Sequence, residues 1–218
     1  MFRRIVAKIV GFCIPELKPI LNHKVSLHSY ENIDENIEKG DFSKIYEPYK
    51  IANSSIGRGS YISFNSKVLG VKIGKFCSIG PNFVCGWGMH PLNGISTSPF
   101  FYSTSKQNGY TIANENLFEE KKSIIIGNDV FIGANVTVLD GIEIGDGAVI
   151  GAGAIVSKSI PDYAVAYGNP IEIKKYRFTE NQRLELKKIA WWDFDTDKLK
   201  DINKYFYDLD SFIEQYKY

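Results

Sequence analysis

Three histidines occur in the 218 residues: His23, His28 and His90. His90 stands in the run Gly86-Trp87-Gly88-Met89-His90-Pro91, where glycines and a proline restrict the backbone and an aromatic ring can exclude water. A neutral imidazole near pH 7 is the usual base for taking a proton from a hydroxyl or an amine. The same ring could instead serve only a hydrogen bond within its loop. A metal centre is not expected: His23 and His28 could join His90 only if the N-terminal segment folded back, and no cysteine pair has ligand spacing. A Cys85–His90 nucleophile pair is conceivable, but no third group to orient the base can be identified. A second set of chemically capable residues is Lys158, Lys174, Lys175 and Arg177. Such a group is either an ordinary solvated surface or an edge that takes phosphates. The same edge carries Gly133, Ala134, Gly151 and Ala152, whose small side chains would let a thin ligand approach the backbone.

The element that must position these residues is a repeat. From Ile126 the chain reads IGNDVF, IGANVT, VLDGIE, IGDGAV, IGAGAI, VSKSIP, ending at Pro161. Every hexad opens on Ile or Val, and Val130, Val136, Ile142, Ala148, Ala154 and Ile160 fill the fifth places. Apolar spacing of four, two, four, two makes no stripe on a helix. On strands, the fifth residue of one hexad and the first of the next share a face. Gly, Asn and Asp between them suit tight corners. A strand plus a corner at fixed period is a solenoid, closing about three hexads per coil. A looser version, IGRGSY, ISFNSK, VLGVK, IGKFCS, IGPNFV, covers roughly residues 51–84 and puts Cys77 at an inward place. Between them, residues 85–123 break the pattern while holding Trp87, His90, Phe100, Phe101, Tyr102 and Tyr110. An insertion of that length with so many aromatics is functional rather than disordered.

The remaining chain frames this body. Residues 1–50 read as helical or irregular, with one helix over Asn32 to Lys39. Ile5, Val6, Ile9, Val10 and Ile14 make one face of a short N-terminal helix, with Arg3, Arg4 and Lys8 mostly off it. That helix could pack on the body or a partner subunit, rest on a membrane surface, or be a signal peptide. Residues 179–218 read as a helical cap, opened by a capping box at Thr179 and Gln182. Net charge of +1 gives no field for nucleic acid. The three cysteines, Cys13, Cys77 and Cys85, make no disulfide framework, and a cytoplasmic location is expected. No apolar run approaches the roughly 20 residues of a membrane span.

The repeats through VSKSIPDYAVAYGNP, the insertion with GMHP, the later STSPFFYS and the WWDF stretch resemble the hexapeptide-repeat acyltransferases. Within that superfamily the likeness is to the xenobiotic, sugar and polysaccharide acetyltransferases, and it covers about residues 51–195. The resemblance implies a mainly β fold, a left-handed parallel β-helix over 51–178 with an inserted loop at 85–123, assembled as a homotrimer. It implies acetyl-CoA as co-substrate, no metal, and His90 as general base in direct transfer. CoA contacts fall on Ala134, Ala152, Ser157, Lys158 and Lys175 or Lys174, beside Gly133 and Gly151. Asn82, Trp87 and Phe100 are candidate acceptor contacts. Phe131 stands where many relatives have Trp against the pantetheine arm, and Ile171-Glu172 follows GNP where relatives often carry a small residue and then a base. The expected reaction is O-acetylation of a sugar hydroxyl in a surface glycan or its precursor. N-acetylation of a nucleotide-linked amino sugar and acetylation of an antibiotic are the alternatives within enzymes. A non-catalytic scaffold would have no reason to carry His90 in this setting, and a zinc β-helix carbonic anhydrase would need histidines that the repeats lack.

Overall fold

The computed structural model describes residues 2–17 and 33–217. Among these, the strands stack in register into three parallel columns. The first column holds the second half of β3 (Tyr49–Ile56), β6 (Val71–Ile73), β9 (Ile124–Ile126) and β12 (Glu143–Ile144), ending in a bridge from Ile144 to Ile160. The second holds β2 (Lys44–Ile45), β4 (Tyr61–Ile62), β7 (Ser78–Ile79), β10 (Phe131–Ile132), β13 (Val149–Ile150) and β15 (Ala164–Tyr167). The third holds the first half of β3, β5 (Ser66–Leu69), β8 (Val84–Cys85), β11 (Thr137–Val138) and β14 (Ile155–Val156). The molecule is therefore the parallel β-solenoid that the hexads predict, with helices after it.

Its core is a set of aligned ladders. Ile62, Ile79, Ile132, Ile150 and Ala166 stack inward along the second column, and Ile51, Val68, Cys85, Val138 and Val156 along the third. All six fifth-place residues from Val130 to Ile160 are buried. Burying each large aliphatic side chain contributes about 1.5–3 kcal/mol, so register is held along the whole prism. Cys77 belongs to this core, and burial pushes its thiol up to about 12.

Corners are made by residues that accept positive φ and by side chains that answer the exposed backbone. Asn128 Oδ1 accepts from Lys75 N at 2.8 Å, Asp146 Oδ1 from Asn128 N at 2.6 Å, and Asp162 Oδ1 from Asp146 N at 2.7 Å. Gly133 is required by its neighbour, because a Cβ there would meet Ala152 N at 2.5 Å. Gly151 would likewise meet Tyr167 Cβ at 2.5 Å. Coil-to-coil stacking thus accounts for both glycines without a ligand.

Two expectations change. Asn32 lies outside the described residues, and residues 33–39 are not helical: β1 (Ile33–Lys39) pairs in parallel with β3, so solenoid strands begin upstream of residue 51. Ile33 and Ile37, four apart, imitate helical spacing. In the structure Asn36 turns the strand at φ 50, and its side chain donates to Asn53 Oδ1 at 3.0 Å, while Asn53 turns β3 at φ 49. The C-terminal helices lie along the side of the prism rather than over its end. The last coil is closed instead by β16 (Glu172–Tyr176), which runs antiparallel to β15. The helices α2 (Glu180–Ile189), α3 (Leu199–Lys204) and α4 (Leu209–Tyr216) pack on the corner between the first two columns. There Phe76 meets Trp191 at 5.4 Å, Arg58 donates to Phe194 O and Thr196 Oγ1, and Lys187 pairs with Asp146 and Asp162. The capping box of α2 is present, with Thr179 and Gln182 bonded reciprocally. At the other end, α1 (Phe2–Cys13) forms where the apolar spacing predicts it.

Candidate active site

The insertion leaves the prism after β8 and returns at β9, so it rises from the edge between the third and first columns. Gly86 makes the exit turn at φ +75, and a Cβ there would fall 1.9 Å from Leu69 O. One carboxylate in the next coil then grips both ends of the loop. Asp140 accepts from Gly88 N at 2.9 Å through one oxygen and from Lys122 N at 3.2 Å through the other. Met89 N donates to Glu120 O at 2.7 Å, tying the two arms directly. Deeper in the loop, buried Ser103 donates to Glu120 Oε2 at 2.5 Å, and Gln107 donates to Glu120 Oε1 at 2.7 Å. The insertion is an ordered body with its own polar core.

His90 is presented by this body. Its Nδ1 lies 2.9 Å from Thr97 O and 2.8 Å from Tyr102 Oη. A backbone carbonyl can only accept, so Nδ1 must carry the proton and donate it toward both oxygens. The lone pair is then on Nε2. Tyr102 is buried, stacks edge-on to Phe118 at 5.9 Å, and its phenol is raised by desolvation and by the Glu120 charge. It therefore remains a neutral phenol beside the imidazole. His90 is exposed, so an external group can reach it. Cys85 faces the core with its thiol raised by burial, so the Cys85–His90 nucleophile pair does not form.

The other candidates fall into three places. Phe131 projects outward from the second column, level with Ser78 below it and with Val149, Val165 and Lys175 above it. Ala134 and Ala152 follow at the next corner, where Gly153 N donates to Ala134 O at 2.8 Å. Lys175 and Arg177 line a cavity of about 770 Å³ between this sheet face and the C-terminal helices, with Val149, Val165, Tyr163 and Trp191. Arg177 is held by Asp129 at 2.8 Å. Ser157 and Lys158 stand exposed on the edge from which the insertion rises, beyond Asp140. Lys174 is paired with Glu172, which its hydrogen bond holds below the usual carboxylate range, with Lys158 adding to the same effect. The acid after GNP is therefore neutralised within the protein.

Of the proposed acceptor contacts, Trp87 is exposed and donates to Lys67 O at 3.4 Å, and Phe100 packs against Phe101 and Tyr110. Asn82 has a structural occupation: it accepts from Asn65 at 2.6 Å and donates to Asn135 at 2.8 Å, one rung of a corner ladder. His23 and His28 lie outside the described residues; among the described residues no cluster of potential metal ligands occurs. A single chain does not bring all candidates together. His90 is on the edge between the third and first columns, whereas Phe131 is on the second. Asp140, Tyr102 and Thr97 were not picked out as site residues by sequence reasoning. Tyr102 was visible only as one aromatic among several, and nothing local marks the aspartate of VLDG or the Thr97 carbonyl.

Comparison with known proteins agrees with this architecture. Residues 123–158 match the family model described as bacterial transferase hexapeptide (six repeats). Over 131 residues the chain is 39% identical to a probable macrolide acetyltransferase from Lysinibacillus sphaericus, covering 59% of this chain and 72% of that one. It is 37% identical over 131 residues to a chloramphenicol acetyltransferase from Klebsiella aerogenes, covering 59% of this chain but only 61% of that relative's length. Among solved structures, a maltose O-acetyltransferase from Clostridium difficile 630 superimposes with a TM-score of 0.53 at 25% identity, over 65% of this chain and 70% of that one. With the repeat, the inserted histidine loop and these likenesses in agreement, the chain belongs to the hexapeptide-repeat acetyltransferase family.

Proposed function

We propose that the protein transfers an acetyl group from acetyl-CoA to a hydroxyl of a sugar acceptor, in a surface glycan or its precursor, with His90 as the general base. The observation that carries this reading is the Thr97 carbonyl on Nδ1, which leaves the basic lone pair on Nε2 of an exposed residue. In the reaction, Nε2 takes the acceptor proton as its oxygen attacks the thioester carbonyl carbon. Collapse of the tetrahedral adduct breaks the carbon–sulfur bond, and the proton passes from Nε2 to the departing thiolate. Thr97 O steadies the imidazolium formed between the two steps.

The donor would lie along the outer wall at Phe131, Ala134 and Ala152, with Lys158, Lys174 and Lys175 toward the nucleotide phosphates. Glycines and alanines at the corner allow a pantetheine arm to run close to the backbone, while Phe131 offers it an aromatic face. Because Phe131 and His90 are on different sides of one prism, the complete site is formed between copies, and a homotrimer is the closed assembly that suits a triangular prism. An antibiotic acceptor is the second reading, favoured by the chloramphenicol and macrolide names of the relatives.

An acceptor panel followed by CoA thiol release separates these readings. Oligosaccharides, nucleotide-linked amino sugars and chloramphenicol are compared, with His90→Ala as control. Turnover with a saccharide hydroxyl, lowered about 10²- to 10⁴-fold by His90→Ala, is the expected result. Undiminished turnover in that variant overturns the base, and turnover confined to chloramphenicol overturns the sugar acceptor.

A further inference from the structure

The N-terminal helix is the largest feature that the acetyl-transfer reading leaves without a task. Helix α1 exposes Val6, Ile9 and Phe12, and Ile14 follows just beyond it; Phe12 is 83% exposed. Val6, Ile9 and Cys13 lie three and four apart and share a stripe, with Phe12 on its border.

Charge identifies what this face suits. Arg3, Arg4 and Lys8 fall within the segment, and no acidic residue precedes Glu16. The whole chain has a net charge of +1, so its cationic excess is concentrated in this helix. Two such helices laid against each other would bring like charges together, which argues against self-pairing as the occupant. An anionic bilayer meets both demands, taking the apolar stripe among its acyl chains and the cations at its phosphates. A 12-residue helix is about 18 Å long against a hydrocarbon core of about 30 Å, and among the described residues no helix is long and apolar enough to cross a membrane. Such a helix lies in the plane of the interface.

We propose that α1 is an amphipathic foot that docks the protein on an anionic lipid surface. The proposal is independent of the transferred group and of the acceptor. Docking would hold the body of the protein beside the membrane surface.

The test uses the purified full-length protein in flotation with phosphatidylcholine vesicles and with vesicles that also contain phosphatidylglycerol, at low and high salt. The expected result is flotation with the anionic vesicles, about tenfold or more above phosphatidylcholine alone and weakened by salt. Ile9→Asp with Phe12→Asp abolishes it, as does Arg4→Glu with Lys8→Glu, while the thermal midpoint and sedimentation coefficient stay those of the parent. Equal binding to both vesicle types overturns the proposal. So does absence of flotation, and so does a fall in sedimentation coefficient on Ile9→Asp/Phe12→Asp, which would make α1 a contact between copies of the chain.

Discussion

Replacing Tyr102 with Phe removes one of two oxygens facing His90 Nδ1 and leaves the ring packing in place. The distances are 2.8 Å to Tyr102 Oη and 2.9 Å to Thr97 O, so a single N–H is shared between them. A neutral hydrogen bond contributes about 0.5–1.5 kcal/mol net, and a shared one belongs at the lower end. With about 1.4 kcal/mol per tenfold in rate, Tyr102→Phe should lower kcat about two- to fourfold, while His90→Ala lowers it about 10²- to 10⁴-fold. Tyr102 acts through the imidazole, so the double variant should be no slower than His90→Ala alone, and the KM for acetyl-CoA should not move. Initial rates of thiol release for the four proteins of this cycle provide the test. A Tyr102→Phe variant as slow as His90→Ala would make the phenol itself the proton carrier. A further loss in the double variant would show that Tyr102 works by a route other than His90. Either result refutes the tautomer argument, because that argument gives the phenol no task except to share the Nδ1 proton.

Two further changes probe the frame. Asp140→Ala releases both arms of the insertion, each held by a hydrogen bond to a carboxylate. It should leave the thermal midpoint nearly unchanged, cut transfer about tenfold or more, and open residues 86–123 to limited proteolysis; an unaltered rate and digestion pattern would remove Asp140 from the loop's support. For Cys77, burial raises the thiol from 9.0 to about 12, so the unfolded chain ionises first. The stability attached to this proton is complete below pH 9 and is lost as pH rises toward 12, at about 1.4 kcal/mol per pH unit. Denaturant unfolding between pH 9 and 11 should show a smaller slope in Cys77→Ala, and equal slopes would place Cys77 outside the core.

Much of the molecule was legible in its sequence because the solenoid is built from local repetition. A strand of two inward places and a corner needs nothing beyond its own six residues, so the hexads from Ile126 to Pro161 announce column, core and corner together. The break in that rhythm marks the insertion almost to the residue, between Cys85 and Ile124. The capping box at Thr179 is equally local. Residues 33–39 misled for the same reason: Ile33 and Ile37 satisfy a helical spacing. Only the distant partner, with Asn36 against Asn53, shows that the interval is one strand bent at Asn36. A 17-residue recurrence of asparagine, at 36 and 53 and again at 65 and 82, was the available signal.

The sequence by itself determined that this chain forms a coiled β wall, interrupted once, with a single histidine in the interruption. Those properties follow from side-chain period and backbone preference, which act over a few residues. Tertiary structure decided which ring nitrogen of His90 keeps a free lone pair, because a carbonyl seven residues away and a phenol twelve away must converge on the other one. It also decided that Gly133 and Gly151 serve the adjoining coil, that Asn82 is one rung of a ladder, and that Asp140 clamps the inserted loop. Each of those contacts joins residues between 16 and 53 positions apart, on neighbouring coils or between a coil and the insertion. Stacking creates such neighbours along the axis of the prism, at separations that no window of a few residues spans.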